Sequence, residues 1–360
     1  MQVKISVCIP SYNRAKFLRP LLDSVLAQDY DPYEIIICED LSPEREEIRE
    51  VVNEYLRKLP NKLFYFENEE NLGYDANLRN LISKSSGDYC FFMGNDDLMC
   101  KGALSTVASA VERHGDVGVF LRAYSWFDRI PEEINQTVRY FPDERIFQPG
   151  SETVATFFRR VGVISGFVVN RQAATRYATN QFDGTLYYQM HLTGNILLDM
   201  RGVHLPQTLV LCRNSEPPDF GNSSKEKGKY TPGRYTPEAR LNMIRGMLLI
   251  ARNLEDVRKT SVYKKIVQDI GNYFYPYVRD QADLPLGIYL KYCFSLARLG
   301  FWRNPMFYIY CAMVLSLGSG RIDAVTRFVR CRLGHSPRIG RVYGGIASLP
   351  ESLDKSSEHL

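Results

Sequence analysis

Asn71–Met99, NLGYDANLRNLISKSSGDYCFFMGNDDLM, decides the fold, because it sets a short apolar strand directly against a pair of carboxylates. Asp88–Met93 (DYCFFM) is an apolar and aromatic run bounded by Gly87 and Gly94, which predicts a strand buried on both faces. Asp96 and Asp97 then stand at its carboxyl end, where an open α/β sheet binds its ligands. Adjacent carboxylates repel one another, so the pair suits a hard cation such as Mg²⁺ or Mn²⁺ bridging to substrate phosphates. Asn-Asp-Asp is also turn-forming, and a solvated turn is the plain alternative.

Outward from this stretch the pattern repeats. Val3–Pro10 (VKISVCIP) predicts a central parallel strand that Pro10 stops, followed by a polar loop and a helix over Phe17–Ala27 with apolar residues at helical spacing. Tyr33–Cys38 predicts a second buried strand, again ending in acids, Glu39 and Asp40. A helix over Pro43–Leu59 and a strand over Leu63–Phe66 complete a βαβαβ run with helices on both faces of a mostly parallel sheet.

Four motifs now stand in order: Cys8–Arg14 (CIPSYNR), Ile37–Ser42 (ICEDLS), Asn71-Leu72-Gly73 with Asn77, and Gly87-Asp88-Tyr89 before Gly94–Asp97. Together they resemble the family 2 glycosyltransferases of the GT-A fold, over roughly residues 3 to 215. The NLGYDAN form is similar to bacterial enzymes that add deoxyhexoses, such as abequose or rhamnose, to lipid-linked surface-glycan precursors. The resemblance implies an α/β, Rossmann-like sheet and a nucleotide-sugar pocket lined by Pro10, Tyr12 and Arg14. It also implies that Asp40 meets the base and that Asn71, Asp75 and Asn77 lie near the ribose or the metal. Read from the residues, Tyr12 can stack on a base and Asp40 can accept from it, whereas Asn71 and Asp75 can equally shape a turn.

The family's metal motif is Asp-any-Asp, and either alignment of it here leaves one acid missing, replaced by Gly94 or by Asn95. Asp96 or Asp97 is expected to touch the divalent cation, with Asp96 the one to face the ribose. An inverting enzyme of this family also needs a base, normally in a Glu-Asp pair after a Phe-Asp-Glu turn. Ser165–Arg171 resembles the preceding strand and Phe182-Asp183-Gly184 the turn, but the pair is absent. His191 is the first candidate for the base because an imidazole titrates near neutrality; Asp183 is the second and Asp199 a third.

With 45% hydrophobic residues, the 360-residue chain can bury one large core with a smaller appended unit. Its eight cysteines show no metal or disulfide spacing, and the first strand starts too early for a signal peptide, so a cytoplasmic protein is expected. Residues 1–215 read as the catalytic domain and 216–236, rich in Pro and Gly, as a surface linker. By the resemblance, that region closes over the donor, with Lys225, Lys227, Lys229 and Arg234 at the diphosphate.

Residues 237–345 read as helical and 346–360 as a polar tail. The net charge of +4 is uneven, with nine Lys or Arg against one acid between Pro285 and Arg341. Interleaved aromatics and the short apolar run Met306–Leu317 suit the anionic cytoplasmic face of a membrane, where an undecaprenyl-linked saccharide acceptor is presented; a helical bundle with an aromatic core is the alternative. No nucleic-acid motif accompanies the charge.

The leading expectation is an inverting, metal-assisted glycosyltransferase of surface polysaccharide synthesis, including lipopolysaccharide O-antigen. The rival is a catalytically degenerate nucleotide-sugar-binding protein, motivated by the missing acids. A sugar-phosphate nucleotidyltransferase is disfavoured by the lack of a Gly-rich, Lys-bearing loop after the first strand.

Overall fold

The computed structural model describes residues 2–333 and 343–345. In chain order the first half contains β1 (Ile5–Ser11), α1 (Ala15–Leu26), β2 (Tyr33–Glu39), α2 (Arg45–Lys58), β3 (Leu63–Glu67), α3 (Tyr74–Lys84), β4 (Tyr89–Phe92), β5 (Leu98–Met99), α4 (Ala103–His114) and β6 (Val117–Phe127). There follow β7 (Ile134–Arg139), β8 (Arg145–Phe147), α5 (Ser151–Phe157), a 3₁₀ turn over Phe158–Val161, β9 (Val168–Asn170), α6 (Arg171–Arg176), α7 (Tyr188–Asp199) and β10 (Arg201–Arg213). The remainder holds α8 (Pro237–Arg258), α9 (Tyr263–Asn272), α10 (Tyr275–Arg279), α11 (Leu286–Arg298), α12 (Pro305–Leu333) and the short strand β11 (Tyr343–Gly345).

Strands β3, β2, β1 and β4 lie side by side in parallel, in that order. Every residue of β2 and β4 is buried, and β1 is buried but for Pro10, which partly shows, so the apolar runs occupy the middle of a sheet covered on both faces. Leu18, Leu21, Leu22 and Val25 of α1 and Leu78, Leu81 and Ile82 of α3 turn their apolar stripes onto it. Beyond β4 the sheet continues antiparallel through β9, β6 and β7. β10 runs parallel to β6 and also pairs with β5 and β8.

The carboxyl ends of β1, β2 and β4 open on one crevice. Asn13, Arg14 and Leu41, just past β1 and β2, all have left-handed backbone, at φ 52°, 65° and 53°. For arginine and leucine that conformation costs ~1–2 kcal/mol each, so surrounding contacts must hold it. Arg14 is held by an ion pair to Asp96 at 2.5 Å and a hydrogen bond to the Pro217 carbonyl at 2.6 Å.

Residues 216–236 do not behave as the surface linker their composition suggests. Ser223, Glu226 and Tyr230 are buried. Glu226 accepts the N–H groups of Tyr74 and Gly221, each at 2.8 Å, and Tyr230 donates to the Gly184 and Thr185 carbonyls. Lys225, Lys227, Lys229 and Arg234 are exposed.

The C-terminal helices extend the same core, which runs continuously from Ile5 to Val314. The face Leu241, Ile244, Met247, Leu248 and Ala251 of α8 is buried, and Phe274, Phe301 and Phe307 gather into an aromatic cluster with ring centroids 4.6 and 5.4 Å from Phe274. Among the described residues, no helix is long and apolar enough to cross a membrane. The polar tail and Arg338 and Arg341 lie outside the described residues.

Candidate active site

A pocket of about 200 Å³ lies at the carboxyl ends of β1, β2 and β4. Pro10, Tyr12, Arg14, Asp40, Asn71, Asn77, Asp96 and Asp97 all line it, so eight residues singled out in the sequence meet there. Asp219, Phe220, Ser223 and Glu226 also line it, and sequence reading missed them. Five of the lining residues carry carboxylates, against one guanidinium, Arg14.

Each acid is fixed by its neighbours. Asp40 accepts the Asn68 side-chain amide at 2.7 Å and the Leu72 and Gly73 N–H groups at 2.9 Å, while burial raises its carboxyl above the usual range. Asn77 donates to the Cys38 carbonyl at 3.0 Å and Asn71 accepts from Gly73 at 3.1 Å, so both shape the loop around Asp40 as well as facing the pocket. Gly73 has φ +83°, and a Cβ there would stand 2.4 Å from Ser223 Oγ; only glycine lets the 219–226 segment approach so closely.

Asp97 accepts the Arg213 N–H at 2.7 Å and the Ser165 hydroxyl, and Ser165 in turn accepts the Gly94 N–H at 2.8 Å. Burial, with the charge of Asp96 beside it, pushes the Asp97 carboxyl up to about 7. Asn95, one of the two residues that can stand where the resemblance expects the first acid, is held by its own contacts. Its amide donates to the Tyr12 and Asn13 carbonyls at 3.2 and 2.9 Å, tying the loop after β4 to the loop after β1. A carboxylate has no proton to donate there.

No group of three or more metal-ligating side chains occurs among the described residues. Asp96 and Asp97 nonetheless fit a cation of the Mg²⁺ or Mn²⁺ type, which is commonly held by one or two carboxylates with substrate phosphates and water completing the shell.

Four residues read from the sequence as candidate site residues do not line the pocket. Asp75 is buried under α7, where it accepts the Thr185, Leu186 and Tyr188 N–H groups, each at 2.9 Å, and burial raises its carboxyl to about 7. It caps a helix terminus that lacks a local cap. Asp183 is paired with Arg79 at 2.7 and 2.9 Å. His191 binds the Tyr177 carbonyl through Nε2 at 2.9 Å and packs on Phe182, and burial lowers its pKa. Asp199, the third candidate base, is tied to Tyr177 and Arg258. A base must come within hydrogen-bond reach of the proton it takes, and none of the last three lines this pocket or the larger cavity beside it.

A second cavity, of about 1080 Å³, adjoins the first. Arg14, Tyr74, Ile164, Asp219 and Phe220 line both, and Asp219 is the carboxylate they share. Asp219 accepts the Asn13 amide at 2.9 Å. Tyrosines and Trp126 dominate the larger cavity's wall.

Residues 6–182 match the family described as Glycosyl transferase family 2. The chain is 31% identical over 113 residues to abequosyltransferase RfbV of Salmonella typhimurium, covering 31% of this chain and 34% of that protein. It is 33% identical over 105 residues to the GalNAc(5)-diNAcBac-PP-undecaprenol beta-1,3-glucosyltransferase of Campylobacter jejuni, covering 29% and 33%. The matched stretch thus spans about a third of the length of these curated relatives. Among solved structures, S. aureus TarS 1–349 in complex with UDP-GlcNAc superimposes with a TM-score of 0.56 at 16% identity, over 82% of this chain and 80% of that one, which shows a shared fold.

Proposed function

Since residues 6–182 form a family 2 glycosyltransferase domain, we propose that the chain transfers a sugar from a nucleotide-diphosphate donor to a saccharide acceptor, with inversion, in bacterial surface-glycan synthesis. The observation that carries the reading is the juxtaposition of an acidic pocket at the carboxyl ends of β1, β2 and β4 with a large aromatic cavity, joined at Asp219. The small pocket takes the donor nucleotide and the large one the acceptor, whose sugar rings stack on its aromatic wall. The two relatives whose names specify an abequosyl and an undecaprenol-linked glucosyl transfer support a deoxyhexose donor and a lipid-linked acceptor.

In this reading Tyr12 and Asp40 hold the base and ribose, and Asp96 and Asp97 hold a divalent cation. The cation supplies Lewis-acid stabilisation of the departing diphosphate. Asp219 takes the position that the sequence assigned to His191 or Asp183, since it faces donor and acceptor at once; its carboxylate accepts the proton of the attacking hydroxyl. Asn13 orients it through the amide at 2.9 Å. The 219–226 segment excludes water from the donor side.

The test is a thermal-shift screen of UDP, dTDP, CDP and GDP with and without Mn²⁺. One nucleotide is expected to raise the melting temperature, and to do so more with metal, because a ligand of the folded state stabilises it. Failure of all four nucleotides would remove the donor site, and with it both the transferase and the degenerate binding reading.

Membrane association belongs to the same proposal. On α11 and the segment after it, Leu286, Leu290, Phe294 and Trp302 are 61%, 48%, 65% and 53% exposed, beside exposed Lys291, Arg298 and Arg303. Such a basic, aromatic surface suits an anionic leaflet. The chain is expected to co-sediment with phosphatidylglycerol vesicles, and the Phe294→Ser, Trp302→Ser double variant to lose at least half of that binding. Equal sedimentation with neutral vesicles would count against it.

A further inference from the structure

The two cavities differ in charge. Five carboxylates line the donor pocket, whereas five arginines and two acids line the larger one. Four of those arginines form ion pairs with three carboxylates. Arg14 pairs with Asp96 and Arg240 with Asp280, but Arg159 and Arg160 share a single carboxylate, Asp269, at 2.9 and 3.0 Å. One guanidinium charge in this group is therefore uncompensated by its ion-pair partner.

Both side chains are nearly enclosed, at 7% and 2% exposure. The 3₁₀ turn over Phe158–Val161 presents them in succession, and the Tyr273 ring lies 4.1 Å from the Arg159 guanidinium carbon. Arg159 Nη2 and Arg160 Nε have no hydrogen-bond acceptor among the described residues. Buried charged donors left unpaired are costly, and two guanidinium groups sharing one carboxylate in a cavity wall leave a surplus positive charge that points to an anion arriving with a ligand.

Resting on the transferase reading above, we propose that Arg159 and Arg160 form an anion subsite that holds a phosphoryl group of the acceptor. Paired guanidinium forks match phosphate oxygens, which outnumber those of a carboxylate. The chain from Arg160 to Ile164, whose side chain reaches the donor pocket, spans at most ~14 Å, so both ends of one acceptor can be engaged along a single wall. The acidic donor pocket repels the same phosphoryl group. The acceptor is thereby oriented with its anion at the arginines and its hydroxyl at Asp219.

The test is equilibrium binding to the full chain in EDTA, so that no cation recruits phosphate to Asp96 and Asp97. The probes are inorganic pyrophosphate, a short-chain prenyl diphosphate N-acetylhexosamine, a methyl hexoside 6-phosphate and the neutral methyl hexoside. At least one phosphorylated probe is expected to bind 10-fold or more tightly than the neutral one, and Arg159→Gln to remove that advantage without weakening the neutral glycoside. Preference for the prenyl diphosphate places the phosphate in the lipid linkage, and preference for the 6-phosphate places it in the glycan; either upholds the subsite.

Equal binding of charged and neutral probes, binding of none, or an Arg159→Gln variant that keeps the advantage overturns it. Should Arg159→Gln not fold, competition of inorganic phosphate against the best charged probe on the unaltered chain decides: displacement upholds the subsite, and its failure removes it. Nucleotide binding with Mn²⁺ is measured separately, so that loss of the transferase reading and loss of the subsite give different results.

Discussion

Replacing Asp97 by alanine is expected to lower turnover by at least ~10²–10³-fold, the scale seen when a group that stabilises developing charge is removed. Asp97 stands beside Asp96 in the smaller, acidic pocket and is positioned by Ser165 and the Arg213 N–H. Its loss leaves those two donors without their acceptor, at a cost of ~1–3 kcal/mol. It also ends the repulsion from Asp96 that helps raise its pKa. The two effects oppose each other, so the fold is expected to survive. Turnover with Mn²⁺, measured beside circular dichroism and the melting temperature, checks this. A folded Asp97→Ala protein with unchanged turnover would remove the metal assignment.

Asp219→Asn is the second large effect. Asparagine keeps the shape and can still bond to Asn13, but takes no proton, so kcat should fall by ~10²–10⁴-fold while nucleotide affinity holds within a few-fold. His191→Gln should leave kcat of the folded protein nearly unchanged, since its ring is bound to the Tyr177 carbonyl and packed on Phe182. The pair of variants discriminates sharply. A large kcat loss in His191→Gln with none in Asp219→Asn would return the base to the histidine.

What could be read in the sequence was local. The strands β1, β2 and β4 are short apolar runs, and the acids that follow them are neighbours in the chain, so periodicity and turn chemistry sufficed. β6 and β10 were not read as strands. Arg122 interrupts the first, buried at 1% exposure because it donates to the Ser165 and Val163 carbonyls, and His204 and Pro206 interrupt the second. Asp219 was illegible for a different reason. It reaches the site through a contact with Asn13 that lies 206 residues away, inside a stretch whose Pro and Gly content argues for a linker. Arg159 and Asp269 meet across 110 residues. Such pairings are products of tertiary folding and leave no spacing to detect.

The 219–226 segment also carries a kinetic consequence. A pocket of about 200 Å³ is smaller than the ~300–1,000 Å³ usual for sites that take ligands of drug size, and Phe220, Ser223 and Glu226 supply part of its wall. If the pocket takes a nucleotide sugar as proposed, its admission is expected to loosen the contacts of Glu226 with Tyr74, Asp219 with Asn13 and Pro217 with Arg14. The same contacts would then loosen again before the spent nucleotide departs. On the proposed function, Asp219 is in place only after they re-form, so donor is expected to bind before acceptor and nucleotide departure to limit turnover, which a pre-steady-state burst of product would show.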